Sequence, residues 1–146
     1  MDLFEEVVLV YLTKFKGYFV SPQYSITYEE GDKFYEWSCP DFVALDFEKK
    51  SLIVAEVSVG WNISKLVDNV NNKDNTWFEK LKLQLKENKV IDDSWNFAVY
   101  GFIRNDRTDY FKEKFKGQKY VHCISIDEVM ETITYGKFQN IFCSKP

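Results

Sequence analysis

The chain has 146 residues, 45% of them hydrophobic, 18% aromatic and 29% charged, and a net charge of −4 at neutral pH. That length suits a single domain over residues 1–146 with one core, and the apolar content excludes an intrinsically disordered chain. The negative net charge excludes a uniformly basic coat for nucleic acid, and no apolar run approaches the roughly 20 residues that span a bilayer.

Over residues 3–15 the apolar Phe4, Val7, Val8, Tyr11, Leu12 and Phe15 recur at helical spacing, with Gly17 as the stop. Residues 18–28 are rich in aromatic and β-branched side chains and run into the turn signal Glu29 to Asp32, which predicts a first strand. Residues 37–47 and 52–59 read as two further strands. The polar gap Glu48, Lys49, Lys50, Ser51 between them is short enough for a hairpin. Residues 63–88 turn helical, with Phe78, Leu81 and Leu85 on one face, and the Asn-rich stretch 69–75 divides them into two pieces. Residues 95–103 predict a fourth strand, 108–115 a short helix and 120–126 a fifth strand, and Asp127 is placed to cap a last helix through Tyr135. Strands joined first by a hairpin and then by helical crossovers imply an α/β fold with a mixed central sheet flanked by helices.

Charge is unevenly spread. Residues 104–119 carry Arg104, Arg107, Lys112, Lys114, Lys116 and Lys119 against Asp106, Asp109 and Glu113, while residues 29–36 carry Glu29, Glu30, Asp32 and Glu36 against Lys33 alone. The first is either a basic binding region or solvated helix surface. Cys39, Cys123 and Cys143 lack the paired spacing of a zinc or redox site, so reduced thiols are expected. Acidic Asp2, Glu5 and Glu6 stand where a secretory leader would be basic, and the expectation is a cytoplasmic protein with no membrane partner. His122 sits in a strand-like run without ligand neighbours, and neither Ser58 nor Ser125 has the flanking glycines of a nucleophile elbow. There is no phosphate loop, dinucleotide fingerprint or zinc spacing.

The hairpin carries the chemistry. With its loop centred between Glu48 and Lys49, partner numbers sum to 97 and Asp41 falls opposite Glu56. Opposed residues share a face with Cβ atoms roughly 4.5–5.5 Å apart, and two carboxylates that close repel each other. A shared proton, a basic partner or a divalent cation relieves such a pair, and a hard cation such as Mg²⁺ takes carboxylates, carbonyls and water. The blander alternative is that Asp41 starts a strand after Pro40 while Glu56 reaches solvent at an edge.

Pro40-Asp41, fourteen residues, then Glu56-Val57-Ser58 resembles the motif of the PD-(D/E)XK nuclease superfamily, and the α-β-β-β-α-β order over residues 3–103 is similar to that superfamily's restriction-endonuclease-like core. The resemblance implies a Mg²⁺- or Mn²⁺-dependent endonuclease acting on duplex or branched DNA, with Asp41, Glu56 and the Val57 carbonyl as metal ligands. Many members add a Glu from the first helix; Glu5 and Glu6 both qualify, and Glu6 suits the resolvase-like branch slightly better. Some members recruit Lys from the following helix, and here the motif Lys is replaced by Ser58, which makes Lys65 the first candidate and Lys73 and Lys80 later ones. Gln84, beside Trp77 and Lys80 on the second helical piece, matches a glutamine that contacts substrate in several branches. The resemblance also admits a homodimer, since cutting two strands needs two sites.

The missing lysine supports an alternative, a catalytically inactive relative that binds nucleic acid or protein. A third reading, an accessory factor of a phage or mobile element, rests only on small size and a Lys-, Asn-, Phe- and Tyr-rich composition.

Overall fold

The computed structural model describes residues 1–27, 39–73 and 77–135. The acidic run Glu29–Glu36, the start of the second predicted strand and Cys143 lie outside the described residues. Helix α1 (Leu3–Thr13) opens with a capping box in which Asp2 and Glu5 each accept the other's backbone N–H at 2.9 Å. Gly17, at φ +82°, turns the chain into β1 (Tyr18–Pro22). A Cβ at Gly17 would also lie 2.9 Å from the Glu48 side chain, so glycine is needed there twice over. Strand β1 is shorter than the expected 18–28, because Gln23 takes a positive φ of 49° and donates its N–H to the Asp41 carbonyl.

Strands β2 (Phe42–Asp46) and β3 (Ser51–Ser58) form the expected hairpin with the expected register, Phe42 facing Ala55 and Asp46 facing Ser51. Asp46 pins the turn: its carboxylate accepts the N–H groups of Glu48 at 3.0 Å and Lys49 at 3.1 Å. That anchoring matters because a slip of one residue would send every side chain of β3 to the opposite face. Helices α2 (Ser64–Asn72) and α3 (Trp77–Glu87) then carry the chain across to β4 (Asn96–Ile103), which lies parallel to β3. A 3₁₀ turn (Asn105–Arg107) leads into α4 (Thr108–Lys114), followed by β5 (Val121–Ser125), parallel to β4, and α5 (Ile126–Thr134). Ser125, not Asp127, is the cap residue of α5; the Asp127 carboxylate instead accepts the Asn105 N–H at 2.9 Å and ties α5 to the 3₁₀ turn.

The result is an α/β protein with a five-stranded mixed sheet in the order β1-β2-β3-β4-β5, packed against helices. Period-two alternation divides the apolar side chains between two cores. Val43, Leu45, Leu52, Val54, Val99 and Ile103 pack on one face with side chains of α2, α3 and α4. Phe42, Ala44, Ile53, Ala55, Tyr100 and Phe102 pack on the other with those of α1 and α5. By the same alternation Asp41 and Glu56 project to the face that carries α2 and α3. Gly101, the β4 partner of Glu56, lets the Phe111 ring lie against the strand, since a Cβ there would meet the ring at 2.8 Å. Among the described residues no helix is long and apolar enough to cross a membrane.

Candidate functional site

The last described rung between β2 and β3 is Phe42–Ala55, and the next residue on each strand is acidic. Val57 donates its N–H to Asp41 Oδ2 at 2.7 Å, while the Asp41 carbonyl turns to the Gln23 N–H at 2.8 Å. Since backbone groups of neighbouring residues in a strand point to opposite sides, Asp41 and Glu56 meet as a pair that exchanges no backbone bonds. Side chains approach most closely in such pairs, where Cα atoms are roughly 4.5 Å apart. The N–H and C=O of one strand residue point to the same side, so the Val57 carbonyl also faces the end of β2.

Two buried carboxyls opposed at this rung favour a shared proton over two adjacent charges. Burial raises the Glu56 carboxyl well above its ordinary value, and the Asp41 charge adds to the effect, while Lys65 pulls the other way. Burial also raises Asp41, opposed by the Val57 N–H. Glu56 is therefore the more readily protonated member of the pair.

Asp41, Glu56, Val57, Ser58 and Lys65 all line one cavity of about 180 Å³, closed by Cys39, Pro40, Leu66, Asn69 and Trp77. Five residues singled out in the sequence thus surround one cavity. Asn69, one of the residues expected to break the helix, also lines this cavity, and its Oδ1 is buried without a hydrogen-bond partner, which is costly. The cavity's oxygen donors are the two carboxylates and the Val57 carbonyl. An all-oxygen set with few charges suits Mg²⁺ or Mn²⁺, which keep several waters and need no complete protein cage. Among the described residues no cluster of three or more His, Cys, Asp or Glu side chains able to hold a metal occurs.

Three expected site residues stand elsewhere. Glu6 is exposed on α1 and does not line the cavity; Glu5 is the acid of α1 whose charge reaches both carboxyls. The capping box turns Glu5 back to Asp2, so the helix start consumes the residue closest to hand. Gln84 spends its amide on the segment after β1, accepting from Thr27 N at 2.8 Å and donating to the Ser25 carbonyl at 3.0 Å and the Tyr24 hydroxyl at 3.3 Å. It fastens that segment to α3 and is not placed to read a ligand. Lys80, half-buried on α3, does not line the cavity either. Lys73 is buried, donating to the Val70 carbonyl at 3.2 Å with its ammonium 4.7 Å from the Tyr120 ring centre. Trp77 is core as well as cavity wall, its indole N–H on the Asn69 carbonyl at 3.3 Å. His122 packs edge-on against Tyr100, 5.2 Å between centroids, and burial lowers its pKa, as suits a structural histidine.

No family model, curated protein or solved structure matches the chain.

Proposed function

We propose that the protein is a divalent-metal-dependent nuclease of restriction-endonuclease-like architecture, hydrolysing phosphodiester bonds in DNA. The observation that carries this reading is the one cavity lined by Asp41, Glu56, Val57 and Lys65, with Asp41 tied to the Val57 N–H. In this reading Asp41, Glu56 and the Val57 carbonyl hold Mg²⁺ or Mn²⁺. Held there, such a cation would activate water and offset phosphoryl charge. Binding a dication also ionises the pair fully, because it removes the repulsion that keeps the proton on Glu56. Lys65, exposed on the first turn of α2 and lining the same cavity, stands in for the lysine that Ser58 replaces. It supplies positive charge to the transition state, which a hydroxyl cannot.

One observation favours a second reading, an inactive relative that retains only binding: Ser58 itself lines the cavity at the position where the resembling family carries Lys. Comparing wild type with Ser58→Lys separates the two. An active nuclease cleaves before the change, and the substitution leaves it active. A protein that gains cleavage only with Ser58→Lys is a retired enzyme, and the catalytic reading then fails.

A further inference from the structure

Trp61 is 68% exposed, whereas Trp77 and Trp95 are 3% and 8% exposed. It follows β3 in the connection to α2, three residues beyond Ser58. Strand β4 ends beside it, since Ser58 pairs with Ile103, so the residues after Ile103 emerge at the same end of the sheet. That register delivers Arg104 and Arg107 to the indole, their guanidinium carbons 4.2 and 5.4 Å from the ring centre. Asp106 holds Arg104 through Nε at 3.1 Å, and the Arg107 Nε–H is buried with no hydrogen-bond partner. Trp61, Arg107 and the half-exposed Tyr110 line a cleft of about 160 Å³ together with Asn62, Ile63 and Ser64.

A cation on an exposed ring contributes only about 0.5–1 kcal/mol, which is little reason to gather two arginines on an indole left open to water. A ligand with both an aromatic face and an anion would use all three groups. Nucleic acid has both, a base to stack on the indole and a phosphate to meet the guanidinium groups. Inside a duplex each base face is covered by its neighbours, so an indole reaches one only where the strand is unpaired. From Glu56 to Trp61 the chain spans at most about 17 Å, or roughly five base steps at 3.4 Å, so one bound strand reaches both the stacking group and the carboxylate pair.

We infer that Trp61, Arg104 and Arg107 form a stacking platform for an unpaired nucleic-acid strand beside the Asp41–Glu56 cavity. The inference deepens the proposed nuclease function by naming the form of its substrate, and for that meaning it rests on that reading. Binding is separable from cleavage. The test measures binding of a labelled oligothymidylate and of a duplex of equal length to the full chain in EDTA, with tryptophan emission as a second readout. The single strand binds more tightly and quenches the emission. Trp61→Ala weakens single-strand binding about tenfold, while Trp61→Phe retains most of the affinity and loses the quenching. Replacing both Arg104 and Arg107 by Ala lowers the slope of log affinity against log salt by about 1.4, at roughly 0.7 per phosphate contact on a single strand. Unchanged affinity in Trp61→Ala, preference for duplex, or no binding by wild type overturns the platform. Metal-dependent cleavage that persists alongside any of those results leaves the nuclease reading standing. Single-strand binding lost in Trp61→Ala, in a protein that never cleaves, keeps the platform and removes the nuclease.

Discussion

Asp41 accepts the backbone N–H of Val57 at 2.7 Å, so the carboxylate just before β2 is tied to the strand that carries Glu56. That bond fixes the relative position of the two acids more firmly than side-chain rotamers alone would, and it holds them together against their mutual repulsion. Burial and the neighbouring Asp41 charge raise the Glu56 carboxyl, a load that a divalent cation held as proposed would relieve.

Metal should therefore stabilise the folded protein. With Mg²⁺ or Mn²⁺ at about ten times its Kd, linkage predicts a gain of about 1.4 kcal/mol, a rise in Tm of roughly 3–6 °C for a chain of this size. Asp41→Asn keeps an oxygen for the Val57 N–H but removes the charge. It should melt no lower than wild type without metal and show no gain with it. Calorimetric melting with and without metal checks both; an equal rise in the two proteins would place the cation elsewhere.

The raised carboxyl of Glu56 makes metal-free stability depend on pH with a definite sign. Its ordinary value is 4.5 and its folded value lies well above that, so the native state binds the extra proton. This contribution is complete below about pH 4.5 and is lost as pH rises through the folded pKa, since the slope follows the protons bound by the unfolded minus the native state. Asp41, also raised, contributes with the same sign. Chemical denaturation across that window should show stability falling as pH rises in EDTA. Glu56→Gln should flatten most of the fall, and an unchanged slope in that variant would contradict the shared proton.

Lys65 is predicted to act in catalysis and not in folding. As an exposed residue on the cavity wall, its change to Ala should leave folding stability within about 0.5 kcal/mol and lower cleavage by about two orders of magnitude, as loss of one transition-state donor does. Ser58→Lys in the Lys65→Ala background should restore part of the loss. Single-turnover rates check this, and unaltered cleavage in Lys65→Ala would return Lys65 to ordinary surface charge.

Gln84 should behave in the opposite way. Its three hydrogen bonds hold residues 24–27 against α3, so Gln84→Ala should cost about 1–2 kcal/mol of stability. Affinity for nucleic acid should not change, which denaturant titration and binding assays on the same preparation can establish.

The hairpin and its acidic pair were legible in the sequence because local rules govern them. A four-residue polar loop sets the register, and Glu56 breaks an otherwise apolar run. What was not legible depends on packing between distant segments. Asn69 was visible only as a weak helix former, and its place on the cavity wall arises only when α2 packs against the sheet. The resemblance favoured Glu6 slightly over Glu5, whereas in the fold it is the Glu5 charge that reaches both carboxyls, and its capping-box role was visible only as helix-start acidity. Gln84 had no partner in sight, because the Tyr24–Thr27 segment reaches α3 only through the early end of β1 at Gln23. Arg104 and Trp61 meet only through the parallel register of β3 and β4, which periodicity does not specify.

Metal-dependent cleavage is the most direct test of the Asp41–Glu56 centre. Purified wild type and Glu56→Gln are incubated with single-stranded, duplex and branched DNA and with RNA, in Mg²⁺, in Mn²⁺ and in EDTA. Wild type should cleave at least one DNA substrate with metal and none in EDTA, and Glu56→Gln, which stays folded, should lose at least about a hundredfold of that activity. Cleavage by Glu56→Gln at the wild-type rate, or none by wild type on any substrate with either metal, would contradict the proposed Asp41–Glu56 centre.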